Sequence, residues 1–253
     1  MMTLHIDRKI TLSTMSPSAR LDELLGHEQK RKAPGWIGDA IYGVNDGLGA
    51  IFGIIAGVAG YTPNSHTILV SGFFGALAST LSMGAGAWLA TKSENELMEK
   101  AIHEAEQNIR QHRDKEIEIL SLIYETKGFT AAEANEIAHR IAEDDELFVK
   151  TMAQEKHGIH EASRGNVWGS AISGAISTFI GGIVPLIPFF FMRGIGAVIA
   201  AAIVSLLAHF VVGALKSLVT VRSWWSSGIE MTLAGVIVGV ISYLLGVFGS
   251  HIL

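Results

Sequence analysis

Residues 37–60 read IGDAIYGVNDGLGAIFGIIAGVAG, a run without a single Lys or Arg. A helix rises 1.5 Å per residue, so about 20 residues cross a hydrocarbon core ~30 Å thick. Four further stretches have the same character: 67–91, 167–191, 195–215 and 228–249. Across all five, only Asp39, Asp46 and Glu230 carry a formal charge. A single such run could be the buried helix of a large soluble protein. Five in 253 residues leave too little polar surface to cover them, so they read as membrane spans.

Composition agrees. The chain is 49% hydrophobic and 17% charged, with a mean hydropathy of +0.37. Soluble domains carry roughly 25% charged residues. With no Cys, a disulfide framework, a thiolate zinc site and a cysteine nucleophile are all excluded. A net charge of −5 speaks against a general nucleic-acid binder, and the hydrophobic content against whole-chain disorder.

Cations orient the spans, because Lys and Arg accumulate on the cytoplasmic side. The 1–36 segment holds six of them, and the polar segment between the second and third spans holds ten. The 216–227 loop adds Lys216 and Arg222, whereas the two intervening connections contain only Arg193. The N-terminus and central segment are therefore expected in the cytoplasm and the C-terminus on the opposite side. Trp36 and the Trp224–Trp225 pair fall at the expected interfaces. The first 34 residues contain no apolar run of signal-peptide kind, so no cleavage is expected there. The expected domains are 1–36 (cytoplasmic N-terminal segment), 37–91 (spans one and two), 92–166 (cytoplasmic domain) and 167–253 (spans three to five). The fold class is all-α: five transmembrane helices plus a helical cytoplasmic domain between helices 2 and 3.

Small residues let helices approach closely in lipid. The first span carries Gly43 and Gly47, then Gly49, Gly53 and Gly57; the third carries Ser170, Gly174, Thr178 and Gly182; the fifth, Gly235 and Gly239. This repetition predicts a tight bundle, with a subunit interface among these faces. Pro185 and Pro188 should bend or open the third span near its outer end, or simply end the helix there.

A carboxylate inside a span is costly unless it faces a cavity or a partner. Asp46 lies about 13 Å inside the first span, counted from its cytoplasmic end at 1.5 Å per residue. Asp39 stands seven residues earlier, two turns back on the same face. Met83 lies about 12 Å deep in the antiparallel second span by the same rise, so it can stand level with Asp46. A carboxylate with a thioether suits a borderline transition metal better than Ca²⁺ or Mg²⁺. Met83 is equally an ordinary packing residue, and His209 in the fourth span reads as a satisfied buried imidazole rather than a ligand.

The central segment is acidic: residues 92–164 hold 17 Asp/Glu, 10 Lys/Arg and five His. The second span is expected to continue unbroken into a helix ending at Gly128. A second helix should start at the Thr130–Glu133 capping box and break near Asp144–Asp145, with a third running to His157 before Gly158. Glu96, Glu99, His103 and Glu106 form an acidic-imidazole stripe at helical spacing, and His112 with Glu116 repeats it. Such a stripe is either a divalent-metal collector or a solvated helix face.

Four motifs carry a family resemblance: DAIYGVNDGL (39–48), SMGAGAWLATKSE (82–94), PLIP (185–188) and SGIEM (227–231). Together they resemble the vacuolar iron transporter family over nearly all of the chain after residue 35. The resemblance implies five membrane helices, a homodimer with a pore between the first helices, and a helical cytoplasmic metal-binding domain. It also implies proton-coupled export of Fe²⁺, and Mn²⁺, from the cytoplasm across a bacterial inner or organellar membrane. No permanent cofactor is implied, since the metal is the cargo. Asp46 and Met83 match the family's intramembrane Asp and Met. Of its cytoplasmic ligands, Glu116 and Met152 match, while the others fall at Ala105, Asn108, Ile119, Ala153 and Lys156. Glu106 and Glu155, among nearby glutamates, could stand in after a helical shift.

The leading expectation is therefore a transporter and not an enzyme. Its path would include Asp39, Asp46 and Met83. Its metal contacts would be Asp46, Met83, Glu99, His103, Glu106, Glu116, Met152 and Glu155, and its partners a divalent transition-metal ion, protons, the bilayer and a second copy. A membrane-anchored ferroxidase or iron store is the alternative, beside a metal-sensing scaffold. A di-iron bundle needs two Glu-x-x-His pairs, and only Glu136–His139 is present.

Overall fold

The structure, a computed structural model, describes residues 35–158 and 164–252, with side chains in the first helix from Ala40 onward. The expectations for residues 1–34 and for the Trp36 and Asp39 side chains fall outside the described residues. All regular elements described are helical: α1 (Gly35–Tyr61), α2 (Ser65–Thr126), α3 (Ala131–Ala142), α4 (Asp145–His157), α5 (Val167–Ile183), a 3₁₀ turn (Val184–Leu186), α6 (Ile187–Phe191), α7 (Ile195–Lys216) and α8 (Trp224–Ile252). Five helical stretches are long and apolar enough to cross a membrane: Ala40–Tyr61, Ser65–Thr126, Val167–Phe191, Ile195–Lys216 and Trp224–Ile252. The described residues divide into two compact units, one of residues up to 81 and from 174 onward, the other of residues between 82 and 173.

In the first unit α1 is shared by several partners, because its glycines allow backbones to touch. A methyl group on Gly47 would stand 2.0 Å from the Thr178 carbonyl oxygen of α5, and one on Gly181 2.0 Å from the Val44 carbonyl oxygen. Further along, a methyl on Gly246 would lie 1.9 Å from the Gly57 carbonyl oxygen, and one on Gly60 2.3 Å from that of Tyr243. Residue numbers rise together along both seams, so α5 and α8 run parallel to α1. Gly213 of α7 meets Ser227 and Gly228 of α8, while His209 meets Gly235, so that pair is antiparallel. Successive spans thus alternate in direction. Gly43, Gly47, Gly53, Gly57, Gly235 and Gly239 each meet a helix of the same chain.

Ile51, Ile55, Ile68, Ala76, Leu186, Phe189, Ala197 and Ala201 form the core of this unit. Leu77, Ile199, Ile203, Leu207, Leu233, Ile237 and Phe248 point outward, as lipid-facing side chains do. Pro185 and Pro188 each occupy one of the first two positions of a short helical segment, where a missing N–H leaves no bond unmade. The span there passes from α5 through the 3₁₀ turn into α6.

In the second unit the expected unbroken helix is interrupted. His112 has φ −143° and ψ 50°, outside the helical region. No Pro or Gly marks the break. It lets residues on both sides of it, Ala105 and Ile109 before and Leu120 after, join one core with Ala138, Ala142, Phe148 and Met152. The other boundaries agree with the sequence. Thr130 caps α3 through a reciprocal box with Glu133. Asp144 accepts hydrogen bonds from the Glu146 and Leu147 amides at 3.0 and 3.2 Å. Gly158 ends α4 at φ 67°. The Asn95 side chain clasps the Gly165 backbone, donating to its carbonyl and accepting from its amide.

Candidate functional site

Asp46 sits on α1, half-buried, one residue before Gly47. Among the described residues it has no hydrogen-bond or ion-pair partner. An ionised carboxylate at such a depth costs a few kcal/mol in lipid and is retained where it faces an aqueous path or a bound ion. On the same helix Gly43 and Gly47 lie against α5, and Gly53 and Gly57 against α8. Asp39 belongs to the same helix, two turns earlier by backbone spacing. Met83 is a partly buried residue of α2 in the second unit, whereas Asp46 belongs to the first.

His209 behaves as the sequence indicated. The imidazole is buried in the first unit, and Nδ1 lies 2.8 Å from the Ser205 carbonyl oxygen. That oxygen only accepts, so Nδ1 carries the proton and the lone pair of the neutral ring is on Nε2. Phe52 packs edge-on at 6.3 Å, and Gly235 leaves room for the ring.

The acidic candidates of the second unit are distributed, not gathered. Glu99 pairs with Arg164. The Nε2 atoms of His103 and Gln107 are 2.8 Å apart, an exposed i,i+4 contact. Glu106 lines a cavity of about 340 Å³ with Arg110, Asp145, Glu146 and Lys150. Glu116 is buried against Lys156, and Glu155 is held by Lys127. Met152 is fully buried in the core beside Phe148, a packing position. Among the described residues no group of three or more His, Asp or Glu is arranged to hold a metal ion. The break at His112 also removes the expected i,i+4 register between His112 and Glu116.

Sequence reading missed the cations that hold these carboxylates, since Lys127 and Glu155 are 28 residues apart and Glu99 and Arg164 are 65 apart. It also missed Arg113, which donates to the Ala142 carbonyl, reaches Asp145 at 2.7 Å and stacks over Phe148. A second groove of about 400 Å³ contains Asp114, Glu118, Glu125 and His139. Glu136 does not assemble a site with His139: it stands 3.9 Å from Arg140, and the His139 ring bonds the Asn135 carbonyl.

Residues 37–247 match the VIT family, a stretch that includes the acidic segment and reaches into all five spans. The chain belongs to the VIT family. It is 26% identical to vacuolar iron transporter 1 of Arabidopsis thaliana over 246 residues, 96% of this chain and 98% of that protein. It is 28% identical to vacuolar iron transporter 1 of Eucalyptus grandis over 200 residues, 79% and 80% of the two chains. Similarity extends to Protein CCC1 of Saccharomyces cerevisiae, 26% identical over 212 residues, 80% of this chain and 65% of that one. This VIT-family chain is thus a membrane protein of a metal-ion transporter family, not an enzyme, which removes the ferroxidase alternative.

Proposed function

We propose that this chain exports Fe²⁺, and also Mn²⁺, from the cytoplasm in exchange for protons, along a path that includes Asp39, Asp46 and Met83. The observation that carries the reading is the half-buried Asp46 carboxylate, without a partner among the described residues, on a lipid-length helix lined with glycine. An ionised carboxylate attracts a divalent ion, and protonation releases it, so one group can serve both halves of an exchange. Met83 adds a soft ligand that favours transition metals over Ca²⁺ and Mg²⁺. The excess of Lys and Arg on alternate connections supports a cytoplasmic N-terminus and a cytoplasmic 92–166 segment, with the C-terminus opposite. On this reading the acidic segment raises the local cation concentration at the cytoplasmic mouth, and the unit of function is a homodimer.

The test is transport in proteoliposomes with Fe²⁺, Mn²⁺, Co²⁺, Zn²⁺, Ca²⁺ and Mg²⁺, with and without a pH gradient. The reading expects uptake of Fe²⁺ and Mn²⁺, accelerated when the receiving compartment is acidic, with Ca²⁺ and Mg²⁺ excluded. Uptake that ignores the gradient would remove the proton coupling. Absence of Fe²⁺ uptake would remove the cargo assignment.

A further inference from the structure

The second unit contains a carboxylate whose burial sets it apart. Glu116 is 4% exposed, on the stretch of α2 that follows the break at His112, with fully buried Leu120 one turn further along. An ionised carboxylate out of water is strongly unfavourable unless a cation and hydrogen bonds compensate it. The compensation here comes from the chain itself: the Lys156 ammonium donates to both Oε1 and Oε2 at 3.1 Å. Lys156 belongs to the last turn of α4, one turn beyond buried Met152. Its side chain is 32% exposed, so the stem runs in from the surface and the charge ends inside.

The pattern repeats around it. Glu155, the neighbour of Lys156, is held by Lys127 just past the end of α2. Glu99 is held by Arg164, and Asp145 at the start of α4 by Arg113. Three of the four pairs tie α4 to residues 113–127, and in all four the carboxylate is met by a cation of the same chain.

We infer that the Lys156 ammonium is a built-in counter-ion occupying the cation position against Glu116, so that this helical unit closes without a divalent ion. A metal ion gains nothing at Glu116 while Lys156 is present, because it would have to displace a symmetric two-oxygen contact already desolvated. Removing the ammonium leaves a buried, uncompensated carboxylate, which a divalent ion can then compensate. The inference bears on how the acidic segment takes part in the proposed transport, but it stands on the ion pair alone.

The experiment is hydrogen–deuterium exchange of the full-length protein in detergent, read on peptides spanning 113–126 and 145–157, in MnCl₂ and in EDTA. Three proteins are compared: wild type, Lys156→Met, and the double variant Glu116→Gln/Lys156→Met. Wild-type exchange in both peptides should be the same in MnCl₂ and EDTA. Lys156→Met should exchange at least ~10-fold faster in EDTA, as expected for one partner of a largely buried pair removed, and MnCl₂ should restore protection. The double variant, with no buried charge, should be protected and indifferent to MnCl₂, which also shows that the site tolerates Met. Wild-type protection that rises in MnCl₂ would overturn the inference, as would Lys156→Met exchange equal to wild type. Fe²⁺ uptake by wild-type proteoliposomes is measured separately; its failure would count against the proposed transport and leave the ion-pair result unaffected.

Discussion

Replacing Gly47 with Ala adds one methyl group, and the structure says where it would go. The new carbon would stand 2.0 Å from the Thr178 carbonyl oxygen, 2.8 Å from its carbonyl carbon and 2.9 Å from the Gly182 amide nitrogen. Non-bonded carbon contacts are comfortable at about 3.5–4.0 Å, so α1 and α5 would have to separate by more than 1 Å at this crossing. No side chain can rotate away, because all three obstructing atoms are backbone. The same seam contains Gly181, equally close to the Val44 carbonyl, so a shift there creates no slack. Overpacking of this kind costs ~1–3 kcal/mol, and the backbone nature of the clash puts Gly47→Ala at the upper end. The control is Gly86→Ala on an exposed stretch of α2, where an added methyl meets nothing within 4 Å. There the loss of unfolded-state freedom should stabilise by ~0.4–1 kcal/mol. Thermal unfolding in detergent, followed by the monodisperse fraction, separates the two. At roughly 2–4 °C per kcal/mol for a chain of this size, Gly47→Ala should melt at least ~4 °C lower, with Gly86→Ala at or slightly above wild type. A Gly47→Ala protein as stable as wild type would refute the close crossing of α1 and α5.

Two further substitutions probe the second unit. Thr130→Ala removes the N-cap of α3 and should cost about 1 kcal/mol of helix stability, measured by exchange of the 131–142 amides. The Thr130 hydroxyl and amide both bond the Glu133 carboxylate and hold its pKa below the usual 4.5. A depressed carboxylate stabilises fully above its unfolded value and progressively less as pH falls through its folded value. The difference between wild type and Thr130→Ala should therefore be greatest above pH 4.5 and shrink below it; a gap that widens on acidification would contradict the box. Phe148→Ala empties a fully buried position beneath the Arg113 guanidinium and should cost ~3–5 kcal/mol. Limited proteolysis of the full-length protein should then cut within 113–157, and unchanged resistance would contradict the core described.

The spans were legible because lipid imposes a coarse rule: about 20 residues, no cations, small residues where helices meet. Gly43, Gly47 and Gly182 stand where that rule places them. It did not say that one glycine-rich helix serves two seams, since Gly43 and Gly47 meet α5 while Gly53 and Gly57 meet α8. Caps were legible for a local reason, as Thr130, Asp144 and Gly158 act within five residues of themselves. The break at His112 had no local signal; core formation across the break selects it. Lys156 was visible as a departure from the family pattern, but its role required knowing that α4 returns to Glu116, 40 residues earlier. The acidic stripe was read correctly as helical and charged. Its partners were not readable, because ion pairs between distant segments leave no period in the sequence.

The central claim is that the Asp46 carboxylate is part of the route by which metal crosses. It is tested most directly by proton-gradient-driven Fe²⁺ uptake into proteoliposomes containing wild type or Asp46→Ala, each first shown to be monodisperse. The account predicts that wild type fills the vesicles and that Asp46→Ala falls to the level of empty liposomes. Undiminished uptake by a well-folded Asp46→Ala protein would contradict it.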